Sequence, residues 1–174
     1  MSEAEKPIKQ NTPSAFKTLE GIEYFEFEED FVEANVRCIP MIVRFKLDLA
    51  GIKLQLGEWV KFNVNEKIAL ATMNCGTEGE IRLYKDQLVK LIGQYAGTKP
   101  TVLEIDQHPG WTDKTKVPAE LAREAKKFGG EVSVALWKSL TDLQRFALVK
   151  LVKPGHENKN FPKALKEFGL LNKK

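Results

Sequence analysis

The chain has 174 residues, 43% hydrophobic and 29% charged, with a formal net charge of +3. That is the make-up of a soluble globular protein, long enough to bury roughly two-thirds of its unfolded surface in one domain. No apolar run approaches the roughly 20 residues a membrane span needs, MSEAEKPIKQNTPS holds no secretory h-region, and two cysteines are too few for a disulfide framework. The expectation is a reduced, cytoplasmic protein.

The charge is unevenly spread. Residues 1–36 hold nine acids and three lysines, whereas twelve basic and five acidic residues follow from Arg123 onward. Such a dipole can steer a partner or draw the chain ends together; the simpler reading is solvated helix faces.

Residues 1–20 carry Pro7 and Pro13, show no periodicity, and read as a disordered extension. Ile22 to Glu28 nearly alternates apolar and acidic residues, which predicts a short extended segment with Phe25 and Phe27 on one face. Glu28-Glu29-Asp30 then suits the N-terminus of a helix entering at Phe31. From residue 21 to 174 the expectation is a single, mainly α domain of two pseudo-twofold-related helical repeats.

The repeat rests on a gapless match at a spacing of 78. Ile39–Met73 pairs with Val117–Leu151, placing Pro40 on Pro118, Gly51 on Gly129, Trp59 on Trp137 and Glu66-Lys67 on Gln144-Arg145. Each copy opens with a proline tolerated in a first helical turn and predicts a helix, Met41–Ala50 or Ala119–Phe128. A glycine follows each helix, at the position where a left-handed backbone favours it. A few strand-like residues then lead to the tryptophan, and Asn63-x-x-Glu66 and Thr141-x-x-Gln144 are capping boxes for the next helix. Lys53–Leu56 and Glu131–Val134 are expected to lie side by side as a minimal antiparallel pair. Repeat 1 spans 39–97 and includes a third helix opened by Thr77-x-x-Glu80. A turn-rich connector anchored by Trp111 covers 98–116, and repeat 2 covers 117–170.

Paired helix–loop–helix units invite a calcium-loop reading, but 51-GIKLQLGEW lacks acidic ligands at alternate positions. Pro154-Gly155-His156-Glu157-Asn158 is the most chemically suggestive stretch, since a histidine beside a carboxylate can move protons or bind metal. A zinc site would need further ligands, and none of His108, Cys38 or Cys75 stands at ligand spacing from His156. The simpler reading is a rigid turn, with Pro154-Gly155 ending one helix and Asn160 capping the next. Cys38 and Cys75 read as small buried hydrophobes, and the tryptophans as core anchors. No phosphate loop, nucleophile elbow or paired catalytic carboxylate occurs, so no cofactor and no catalytic residue are expected. The C-terminal lysines mix with acids and lack interleaved aromatics, so no nucleic-acid partner is expected.

Several segments resemble the nitrate reductase associated protein family: 26-EFEEDFV, 37-RCIPMIVRFKLD, 51-GIKLQLGEW, Cys75 with 80-EIRLY, 109-PGW and 143-LQRFALVKLVKPGHENKNFPKALKEFGL. The resemblance covers Phe25 to Leu170; Lys153 stands where the family pattern has arginine, and residues 1–20 extend beyond it. The family's gene neighbourhood implies an accessory role in nitrate assimilation, with nitrate reductase or molybdenum-cofactor synthesis proteins as partners. It transfers no catalytic residue. The competing expectation is a metal- or small-molecule-binding protein, or an enzyme, with its site at His156, Glu157 and Asn158.

Overall fold

The computed structural model describes residues 16–30 and 38–171. Eight α-helices and one two-stranded antiparallel sheet are present among these residues, so the fold is mainly α. The first half comprises α1 (Met41–Ala50), β1 (Ile52–Lys53), α2 (Leu56–Trp59), α3 (Val64–Thr72), α4 (Glu78–Ala96) and β2 (Thr101–Val102). The second comprises α5 (Ala119–Lys127), α6 (Val134–Ser139), α7 (Asp142–Leu151) and α8 (Phe161–Glu167).

Local chemistry sets the boundaries. Pro40 and Pro118 are the N-cap residues of α1 and α5. Gly51 ends α1 at φ 65° and gives its N–H to the carbonyls of Leu47 and Asp48. A side chain there would also collide, because a Cβ would stand 2.9 Å from Ile105 Cγ1. Capping boxes close at Asn63–Glu66, Thr77–Glu80 and Thr141–Gln144, each satisfying N–H groups that a helix start leaves open. The helix starts at Met41, Leu56 and Val64 recur 78 residues on, at Ala119, Val134 and Asp142.

Two apolar cores result. One gathers Val43, Leu47, Trp59, Leu70, Leu88 and Ile92; the other gathers Met41, Leu121, Trp137, Phe146, Leu148 and Phe161. Helix α1 serves both, with Ile42 packed against each cluster and Phe45 edge-on to Phe146 at a centroid distance of 5.2 Å. Trp59 and Trp137 are fully buried. Burying an indole of this size is worth roughly 4–6 kcal/mol of gross transfer free energy, so each core is centred on one.

Four expectations need correction. The strand partner of β1 is not Glu131–Val134 but the connector: Ile52 pairs with Val102 and Lys53 with Thr101. In the second half, Gly130 makes a single antiparallel bridge to Leu171, because Ser133 is already the N-cap of α6 and leaves no strand to extend. Glu26–Asp30 is a 3-10 turn rather than extended, yet Phe25 and Phe27 still stack at 5.3 Å and meet Phe168 together. Glu28 caps α1, through the N–H of Met41 at 2.6 Å, whereas the helix expected from Phe31 lies outside the described residues. Asn160 precedes α8 with an αR backbone and makes no side-chain cap. Packing also begins earlier than expected, since Phe16 is buried in the first core; residues 1–15 of the expected disordered extension lie outside the described residues.

Candidate functional site

Pro154-Gly155 follows α7, and His156–Asn160 forms a 3-10 turn leading into α8. The Asn158 amide turns inward, Nδ2 donating to the carbonyls of Leu151 and Val152 at 3.0 and 3.3 Å. Those carbonyls sit where a helix end lacks intrahelical partners, so Asn158 closes α7. His108 is exposed beside a depression of about 370 Å³ lined by Pro109, Asp113 and Lys116. Among the described residues, no group of three or more His, Cys, Asp or Glu could hold a metal ion.

The cysteines are apart in role. Cys75 is buried, and its Sγ donates to the Lys46 carbonyl at 4.0 Å. Burial pushes its thiol up from the ordinary range, with the Lys46 ammonium pulling the other way. Lys46 itself is buried and donates to the carbonyls of Ala71 and Met73, which secures the end of α3. Cys38 is half-buried at the edge of a groove described below.

Each core holds a buried cation against its tryptophan. Lys67 Nζ lies 5.3 Å from the centroid of Trp59, and the Arg145 guanidinium carbon lies 5.9 Å from that of Trp137. Arg145 also donates to the carbonyls of Trp111 (2.9 Å), Trp137 (3.3 Å) and Leu140, and pairs with Asp142. Trp137 Nε1 donates to the Asp113 carbonyl at 2.8 Å, so the second core clamps the connector from beneath. The sequence carried a signal for this: a basic residue stands eight positions after the tryptophan in both halves.

Glu28 is fully buried, accepting N–H bonds from Met41 and from Phe25, the latter at 3.2 Å. Burial pushes its carboxyl up to about 7, against the pull of those two N–H groups and of Arg44; the nearby Glu167 carboxylate adds to the rise. Glu167 in turn accepts from the N–H groups of Glu26 and Phe27 at 2.8 and 3.0 Å. These carboxyls fasten the N-terminal turn across α1 and α8.

An open groove of about 520 Å³ lies between α1, β1 and the start of α2. Ile39, Leu47, Ile52 and Leu54 form its buried floor, and Leu56 and Leu103 stand exposed at its edge. Its cations among the described residues are Arg44, Lys53 and Lys150, against one carboxylate, Asp48. Arg44 Nε is held by the Ile39 carbonyl at 2.8 Å, and Lys150 pairs with Asp48 at 2.7 Å. Lys53 is exposed and makes no ion pair among the described residues. An apolar floor with a few polar groups at its margin is the usual form of a binding cleft. Sequence reasoning placed none of these residues in a site, because the groove needs β1, the connector and α7 together.

The family model for conserved nitrate reductase-associated protein matches residues 24–168. No curated protein and no solved structure matches the chain.

Proposed function

Because the chain belongs to the conserved nitrate reductase-associated protein family, we propose that it is a non-enzymatic accessory protein of nitrate assimilation. It acts in the cytoplasm by binding nitrate reductase, or the proteins that make and insert its molybdenum cofactor. The observation that carries this reading is the exposed apolar surface beside the groove: Leu56, Val102 and Leu103 are 53%, 66% and 36% exposed, with Ile105 following in the connector at 47%. Adjoining exposed apolar residues next to a cleft mark a contact surface more often than a catalytic one. The 78-residue correspondence is read as an internal duplication that supplies scaffold twice, leaving the groove as the feature one half adds.

The test is binding of the purified chain to purified nitrate reductase and cofactor-synthesis proteins of the same organism, each immobilised separately. A dissociation constant of about 10 μM or below for one of them is the expected result, as befits a transient interface. No measurable binding to any of them removes the proposal.

A further inference from the structure

The geometry points to the groove as a docking site for an extended, acidic and apolar segment of a partner protein, with Lys53 reading its carboxylates and Leu54 and Leu56 its apolar side chains. This rests on the accessory-protein reading above and names the surface and the partner chemistry.

Charge selects the occupant's sign. Among the described residues, three cations and one carboxylate line the groove, and that carboxylate is already held by Lys150. Lys53 projects from β1 without an ion pair among the described residues, so an incoming carboxylate gains a partner without displacing one. A basic or neutral segment would leave that charge uncompensated.

Shape selects the occupant's form. Along Ile52-Lys53-Leu54, exposure alternates buried, exposed, buried, as in a strand. Among the described residues, β1 has a single strand neighbour, β2. An extended chain laid along it can place alternate side chains on the apolar floor and at the charged edge, the arrangement by which strand-like recognition gains specificity. The floor also runs out onto exposed Leu56 and Leu103 rather than closing over, which suits a chain passing through more than an enclosed small molecule.

The second half shows that the groove is not a by-product of the shared scaffold. The position 78 residues after Ile52 is Gly130, where a Cβ would meet the Leu170 carbonyl at 3.1 Å, so backbone occupies the equivalent space. Glu131 stands at the counterpart of Lys53, and Ala122 at that of Arg44.

The test uses the full chain and two fluorescein-labelled octapeptides, one alternating leucine with glutamate and the other leucine with lysine. Fluorescence polarisation is expected to show binding of the glutamate peptide, weakening as salt rises, and none of the lysine peptide. Lys53→Glu and Leu56→Glu, both at exposed positions, are each expected to weaken binding about tenfold or more, with circular dichroism and melting temperature unchanged. Val134→Glu, at the exposed counterpart of Leu56, is the control and is expected to bind as the parent does. The inference is overturned if both peptides bind alike, if neither binds, or if Val134→Glu weakens binding as much as Leu56→Glu. It is equally overturned if the chain self-associates in sedimentation and Leu56→Glu makes it monomeric, since a second copy then covers the groove. The nitrate reductase measurement separates the two proposals. Peptide binding without nitrate reductase binding keeps the groove and removes the accessory role; nitrate reductase binding that survives Lys53→Glu and Leu56→Glu keeps the role and removes the groove.

Discussion

The two halves solve the same packing problem and then part. Each opens with a proline-led helix, turns at a glycine of positive φ, buries one tryptophan and sets a cation against it. In the first half the residue after that glycine is Ile52, which pairs with the connector and floors a groove. In the second half the residue is Gly130, drawn tight against the segment after α8 at Leu170 and Leu171. That difference, with Glu131 at the counterpart of Lys53 and Ala122 at that of Arg44, accompanies an open cleft in one half and a closed contact in the other. In the second half Arg145 and Trp137 hold the connector through hydrogen bonds to its carbonyls. The second half thus contributes fixed contacts to the connector and the first an open groove.

If that division is right, the largest loss should follow from disarming the second half's clamp. Arg145→Met strands the carbonyls of Trp111 and Leu140, and each buried acceptor without a donor costs about 1–3 kcal/mol. A loss of about 4 kcal/mol in urea unfolding is expected, with Arg145→Lys intermediate at about 2 kcal/mol because an ammonium keeps the charge but not the fork. A cost below about 1 kcal/mol for Arg145→Met would show that the guanidinium is incidental to the second core.

Glu28 tests the element shared by both halves, because it caps α1 between them. Glu28→Ala leaves the N–H groups of Met41 and Phe25 without their acceptor, for an expected loss of about 2 kcal/mol. Its pH dependence has a definite sign. The carboxyl's ordinary value is 4.5 and burial raises it to about 7, so between these values the folded chain holds a proton that the unfolded chain has released. The stabilisation from that proton is complete below pH 4.5 and is lost as pH rises through about 7. Urea midpoints are therefore expected to fall over that interval, and Glu28→Gln to flatten the decline. A parent midpoint that rises through the same interval would contradict the burial argument.

Smaller effects compare matched caps. Asn63→Ala and Thr141→Ala remove the acceptor for Glu66 N–H and Gln144 N–H, and each is expected to cost about 1 kcal/mol. Thr141 Oγ1 also donates to the Glu23 carboxylate at 2.8 Å, so Thr141→Ala should loosen the N-terminal turn as well. Proteolysis between residues 16 and 30 faster in Thr141→Ala than in Asn63→Ala is the expected sign of that difference.

These matched features were the most legible part of the sequence. Capping boxes, C′ glycines and core tryptophans are decided within a few residues, and each was found where local pattern put it. The β1 partner was not legible, because a two-residue strand has no periodicity of its own and took whichever backbone the connector brought past. Glu28 was read as an acid for its own downstream helix, since sequence spacing favours the near N-terminus over one reached by folding back. The groove was invisible for the same reason: Leu54, Leu103 and Lys150 meet only through three separate elements. Asn158 falls between these cases, its loop position plain and its inward hydrogen bonds decided by the end of α7.

The smallest expected effect concerns the seam itself. Lys150 of α7 reaches Asp48 of α1 at 2.7 Å, one ion pair joining the halves at the groove's edge, and both side chains are more than a third exposed. At such exposure solvent screens the attraction, and a double-mutant cycle on Asp48→Asn and Lys150→Met is expected to give about 0.3–0.5 kcal/mol, falling toward zero at about 1 M salt. The apolar seam beside it is a different matter: Phe45 meets Trp111 and Phe146 edge-on at 5.0 and 5.2 Å. Aromatic pairs of this kind add about 0.5–1.5 kcal/mol beyond their buried area, so the ring contacts should outweigh the ion pair. A coupling above about 1.5 kcal/mol for Asp48 and Lys150 would reverse that ranking. The halves would then be joined by charge at the very edge where an acidic partner is proposed to bind, and docking would have to compete with the seam for Lys150.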